Sequence, residues 1–104
     1  MNYIAQINLF RALIKTTDMT PSAINLYYAL LAINNSCGWR EAFNVAISTL
    51  ESECRYSRSE IYRARECLIS LGLIKVEERA GNRSAVYSII PLYVEGEVKK
   101  FRSV

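Results

Sequence analysis

The sequence predicts a mainly α-helical chain with a small antiparallel sheet, arranged as a winged helix-turn-helix with an extra N-terminal helix. Three observations carry this. Ser48 with Glu51 and Ser57 with Glu60 are two S-x-x-E pairs nine residues apart. Each is a capping box, in which the serine oxygen takes an orphan helix amide and the glutamate reaches back to the cap. Two helix starts so close together leave room only for a short helix, a tight turn and a second helix. That second helix, read as 58–71, repeats Ile61, Ala64, Leu68 and Leu71 on one face at period 3.6, and Gly72 stands where a left-handed residue ends a helix. From Leu73 to Arg79 and from Ser84 to Ile90 the period shortens toward two, with Gly81-Asn82 as a hairpin turn between them.

The elements before and after follow from local signals. Asn2 to Lys15 places Ile4, Ile7 and Ile14 with Phe10 on an amphipathic helix. Thr20-Pro21 supplies an N-cap with proline at the first helical position. The helix that follows, to about Asn34, is apolar nearly all round, so both of its sides must be covered. Asn34 to Gly38 suits a turn. Trp39 reads as a packing anchor, and Phe43 to Val45 as a short first strand. Leu50 and Cys54 are expected inward on the third helix, and Tyr56 is expected to enter the core between the third and fourth. Pro91 stops the sheet. This divides the chain into a helical extension (1–18), a winged-helix domain (19–92) and a tail or linker stub (93–104).

Composition excludes several functions. With 104 residues, half of them hydrophobic, the chain suits one ordinary globular domain. No apolar run approaches the roughly 18–20 residues of a membrane span, and the N-terminus lacks the charged-then-apolar pattern of a secretory signal. A cytoplasmic, non-membrane location is expected. There is no histidine, and Cys37, Cys54 and Cys67 are scattered. The thiols are therefore expected to be small buried groups, with neither a metal nor a cofactor. No carboxylate pair, phosphate loop or nucleophile-base pair is visible, which argues against an enzyme.

Net charge is only +3, but its placement is informative. Arg55, Arg58, Arg63 and Arg65 crowd the turn and fourth helix, while Arg79 and Arg83 flank the hairpin tip. Stepping 100° per residue from Ile61 puts Ser59, Tyr62, Arg63 and Glu66 opposite the apolar stripe, with Arg58 and Arg65 on a shoulder. Guanidinium and hydroxyl groups there suit base edges and phosphates, and the helix amide end favours a phosphate. The expected contacts to double-stranded DNA are Arg55, Arg58, Ser59, Tyr62, Arg63, Arg79, Asn82 and Arg83. Two apolar stripes beyond the winged helix, Ile4, Ile7, Phe10 and Ile14 on the first helix with Leu26 and Leu30 on the second, predict a homodimer interface.

YIAQIN with Phe10, then AINLYYALLAINN followed by CGW, NVAISTL, RARE with LISLGLIKV, and SAVYSIIPL resemble the N-terminal winged-helix domain of DnaD-like replication-initiation proteins of Gram-positive bacteria and their phages. The likeness spans roughly residues 3–92, and the INN-to-CGW corner is its most specific part. It implies DNA binding and self-association in primosome assembly, beside other replication-initiation or helicase-loading proteins. Arg55 stands where relatives usually carry glycine, which implies a left-handed arginine at a cost of about 1 kcal/mol. The family's C-terminal DNA-binding domain has no counterpart in these residues. The alternatives are a small transcriptional regulator, whose dimer reads a palindrome, and an interaction module without direct DNA contact.

Overall fold

The computed structural model describes residues 2–81, 83–94 and 97–98. Helices α1 (Tyr3–Ile14), α2 (Pro21–Ser36), α3 (Ile47–Cys54) and α4 (Arg58–Ser70) accompany strands β1 (Phe43–Val45), β2 (Ile74–Glu77) and β3 (Ala85–Ile89), with a short β4 (Tyr93–Val94) and β5 (Glu97–Val98). Mainly helical with a small antiparallel sheet, it has the winged helix-turn-helix order. The chain divides into two compact units, Thr20–Ile90 and a second made of Met1–Met19 with Pro91–Val104.

In the larger unit, Thr20 accepts from the Ala23 amide at 3.2 Å with Pro21 in the first turn, and α2 begins as its sequence dictates. Helix α4 packs on α2, α3 and β2. Tyr27, Leu31, Leu50, Ile61, Ala64 and Leu68 are fully buried, and Tyr87 and Ile74 nearly so. The sheet order is β1-β3-β2, with Phe43 opposite Tyr87 and Val76 opposite Tyr87 on the other side. Inward residues Ala85, Tyr87 and Ile89 alternate with half-buried Val86 and Ser88, the two-residue period of a strand with one core face.

The fourth helix ends in a Schellman motif. Gly72, at φ +74°, lets its own amide donate to the Ile69 carbonyl and the Leu73 amide to the Leu68 carbonyl, both at 3.0 Å. Leu71 is the C-cap and is 37 % exposed, so it does not extend the apolar stripe as expected. The Ser57–Glu60 capping box forms in full. The Ser48–Glu51 box does not. Extended Ala46 follows β1 directly and is itself the N-cap, so Ser48 already lies inside α3. Arg55 adopts φ +61° and ψ +38°, the left-handed turn that the resemblance implied. Tyr56 does not enter the core; half-buried, its hydroxyl accepts from Asn25 Nδ2 at 2.6 Å.

One buried polar side chain shapes the corner after α2. The Asn34 amide donates to the Arg40 carbonyl and its Oδ1 accepts from the Arg40 amide, both at 3.1 Å. Gly38 at φ +83° and Trp39 at φ +60° turn the chain between them.

In the smaller unit, Asn2 caps α1 by accepting from the Ala5 amide at 3.1 Å. Buried Gln6 accepts from the Leu92 amide at 3.0 Å, and the Asn2 amide bonds the Tyr93 hydroxyl. β4 and β5 pair antiparallel, Tyr93 with Val98 and Val94 with Glu97. Leu92, expected to close the winged-helix domain, belongs instead to this smaller unit, and the expected tail or linker stub carries a short strand pair at Tyr93–Val94 and Glu97–Val98. Hydrogen bonds of Leu92 and Tyr93 with α1 and its cap, and the pairing of Tyr93–Val94 with Glu97–Val98, tie these residues into this unit.

The expected dimer surface is also corrected in part. Phe10, Leu26 and Leu30 are fully buried within the single chain and offer nothing to a second copy. Ile4 is 70 % exposed, and Ile7 and Ile14 are half-buried. Among the described residues no helix is long and apolar enough to cross a membrane.

Candidate nucleic-acid interface

The site is built on the first turns of α4 and on the hairpin loop between β2 and β3. Arg65 determines its floor. A helical wheel leaves this arginine on a shoulder, facing water, yet the residue is only 7 % exposed. Its aliphatic stem covers apolar surface while the guanidinium reaches the base of the wing. Nη2 donates to Glu78 Oε2 at 2.6 Å. The guanidinium carbon lies 4.9 Å from the Tyr62 ring centroid and 5.5 Å from that of Tyr87, within cation–π range of both. Helix and wing are therefore tied by one charged contact, and Tyr62 is held from beneath.

Above this floor lies a cleft of about 390 Å³. Arg58 and Tyr62 line it from α4, Arg79 and Arg83 from the wing, and Ile47 and Ser48 from the start of α3. Arg79 is oriented by its own hairpin, its Nε donating to the Ser84 carbonyl at 2.7 Å. Among the described residues the one ion pair is Arg65–Glu78, so Arg58, Arg79 and Arg83 carry no carboxylate partner.

The two helix starts differ. Helix α3 has no side-chain cap, and its first residues line the cleft. In α4 the Ser57 amide donates to Glu60 Oε1 at 2.8 Å and the Glu60 amide to Ser57 Oγ at 3.3 Å. The Ser57 amide chiefly, then the Ser57 hydroxyl, with lesser help from Arg63, hold the Glu60 carboxyl below its ordinary range. The expectation that the α4 amide end would attract a phosphate is thus corrected: a carboxylate already sits there.

Of the eight residues that the sequence nominated, the cleft gathers Arg58, Tyr62, Arg79 and Arg83. Arg55, Ser59 and Arg63 are exposed but do not line it, and Asn82 lies outside the described residues. Ser48, Arg65 and Glu78 were not nominated. The signal for the last two was a basic residue near the wheel boundary facing an acidic residue where the wing strand ends. The cysteines depart from expectation: Cys37 is exposed, and Cys54 and Cys67 are only half-buried. Burial chiefly, and Glu53 secondarily, push the Cys54 thiol above its ordinary value. No family model, curated protein or solved structure matches this chain. What the cleft can do follows from its chemistry. Three guanidiniums without a carboxylate partner among the described residues, an exposed phenol ring and an uncapped helix end are groups that bind phosphate and aromatic bases.

Proposed function

We propose that this domain binds DNA as a non-enzymatic module of a replication-initiation assembly, with the amino end of α4 and the wing as its contact surface. One observation carries the reading: Arg58, Arg79 and Arg83, brought from two elements, converge on a single cleft and lack acidic partners among the described residues. On a merely solvated helix face such cations would be scattered and paired along the helix. The role in replication rests on the likeness of the sequence to DnaD-like domains.

A salt titration of DNA binding tests this. Affinity should fall steeply as salt rises, with a log–log slope of roughly 0.9 per phosphate neutralised. Arg58→Ala and Arg83→Ala should each lower that slope by about one and leave the melting temperature nearly unchanged. No binding at low salt to any DNA overturns the proposal. The second reading, a protein-interaction module, has one observation in its favour: a hollow of about 610 Å³ lined by apolar Ile69, Val76, Val86 and Ile90.

A further inference from the structure

We propose that the cleft receives one unpaired nucleotide, its base stacked on the outward side of Tyr62 and its phosphate held by Arg58 and Arg83. This rests on the DNA-binding reading and narrows it, making an unpaired strand rather than a closed duplex the preferred ligand.

Tyr62 is one of three large apolar residues exposed among those described, at 43 %. An exposed ring usually wags between rotamers and must be ordered before it can stack, at a cost to affinity. Here Arg65 lies under the ring, Tyr87 lies within reach of the same guanidinium, and Glu78 anchors Arg65 at 2.6 Å. The platform is set before any ligand arrives. An aromatic face is of little use against a closed duplex, whose bases offer only their edges in the grooves. Unpaired bases offer a π-face, and stacking on a fixed aromatic is how single strands are held.

Charge and size agree. A helix lying in the major groove runs between two phosphate backbones and gains from cations along its length. Outside the cleft the solvent side of α4 has none to spare: exposed Arg63 is offset by Glu60 and Glu66 on the same helix, and Arg65 is taken by Glu78. The uncompensated charge is local to the cleft. A volume of about 390 Å³ falls at the lower end of the roughly 300–1,000 Å³ of small-ligand pockets. That suits one nucleotide with its phosphate.

Fluorescence anisotropy with a labelled oligothymidylate and a blunt duplex of equal length, at one salt concentration, tests the proposal. The same strand carrying 2-aminopurine reports stacking by quenching. The single strand should bind more tightly. Tyr62→Leu should weaken its binding roughly 5- to 150-fold, the worth of about 1–3 kcal/mol per stacked base, and abolish the quenching. Tyr62→Phe should preserve both. Equal melting temperatures for the three proteins separate lost stacking from lost structure. Tighter duplex binding, or a leucine variant that binds the single strand like wild type, overturns the unpaired-nucleotide proposal and leaves DNA binding standing. Failure of both DNAs to bind at low salt overturns the two together.

Discussion

The Arg65–Glu78 contact should stabilise the fold by more than a surface ion pair and less than a fully buried one. Its two ends are unequal, with side-chain exposures of 8 % and 64 %. Exposed pairs are worth about 0–1 kcal/mol, and breaking a buried pair costs about 3–5 kcal/mol. One wet end places Glu78→Ala near 1–2 kcal/mol: the guanidinium loses its carboxylate but keeps both rings. Arg65→Ala should cost more, about 2–4 kcal/mol. It removes the pair, two cation–π contacts of roughly 0.5–1 kcal/mol each, and the packing of the stem, while Glu78 simply returns to water. In the double variant Glu78 has nothing left to lose, so the cost should equal that of Arg65→Ala alone, a coupling of about 1–2 kcal/mol. Urea denaturation followed by circular dichroism measures this. With a slope of roughly 1–2 kcal/mol per molar, the coupling is a midpoint difference of about 0.5–2 M. Added salt should shrink it, because Glu78 is solvated. Additive single effects would refute the assignment of that energy to the pair. A Glu78 variant costlier than the Arg65 variant would mean that the stranded guanidinium, not the lost attraction, dominates.

Three further outcomes are expected. Leu68→Ala should cost about 2–5 kcal/mol as a core cavity, against almost nothing for exposed Glu66→Ala; comparable urea midpoints would contradict the helical phase of α4. Because the folded carboxyl of Glu60 is depressed, its contribution is present above the unfolded carboxylate value and lost as pH falls through the lower folded one. Melting curves of Glu60→Gln, which keeps the cap, should accordingly be flatter than wild type across that acid window, and identical pH profiles would remove the box as their cause. Arg55→Gly should stabilise by up to about 1 kcal/mol, offset in part by the unfolded-state freedom of glycine; a clear loss in the urea midpoint would show that no strain is stored at φ +61°.

Local signals in the sequence were reliable wherever one residue decides one backbone event. Thr20-Pro21, Ser57 with Glu60, and Gly72 each mark an end that the structure places where they stand. Ser48 failed because a capping box describes a pattern, whereas the true start of α3 is set by where β1 releases the chain. Long-range choices were not legible. The depth of Arg65 depends on a carboxylate 13 positions away, and a wheel assigns direction to the Cα–Cβ bond, not to the end of a long side chain. Gln6 looked like a polar interruption in an amphipathic helix until the Leu92 amide, 86 positions on, gave it a partner. Four of the nominated residues reach the cleft because helix and hairpin tip were both legible; how they converge was not.

The Asn34 carboxamide behaves like a borrowed peptide group. It donates to and accepts from Arg40 as a neighbouring strand would. The corner between α2 and β1 therefore stores its shape outside the loop itself. Asn35, Ser36 and Cys37 are exposed and can change letter freely. What the corner cannot absorb is a change of count: one residue more or fewer carries Arg40 past the carboxamide and strands two buried polar atoms at once. Evolution can respell this corner but not resize it.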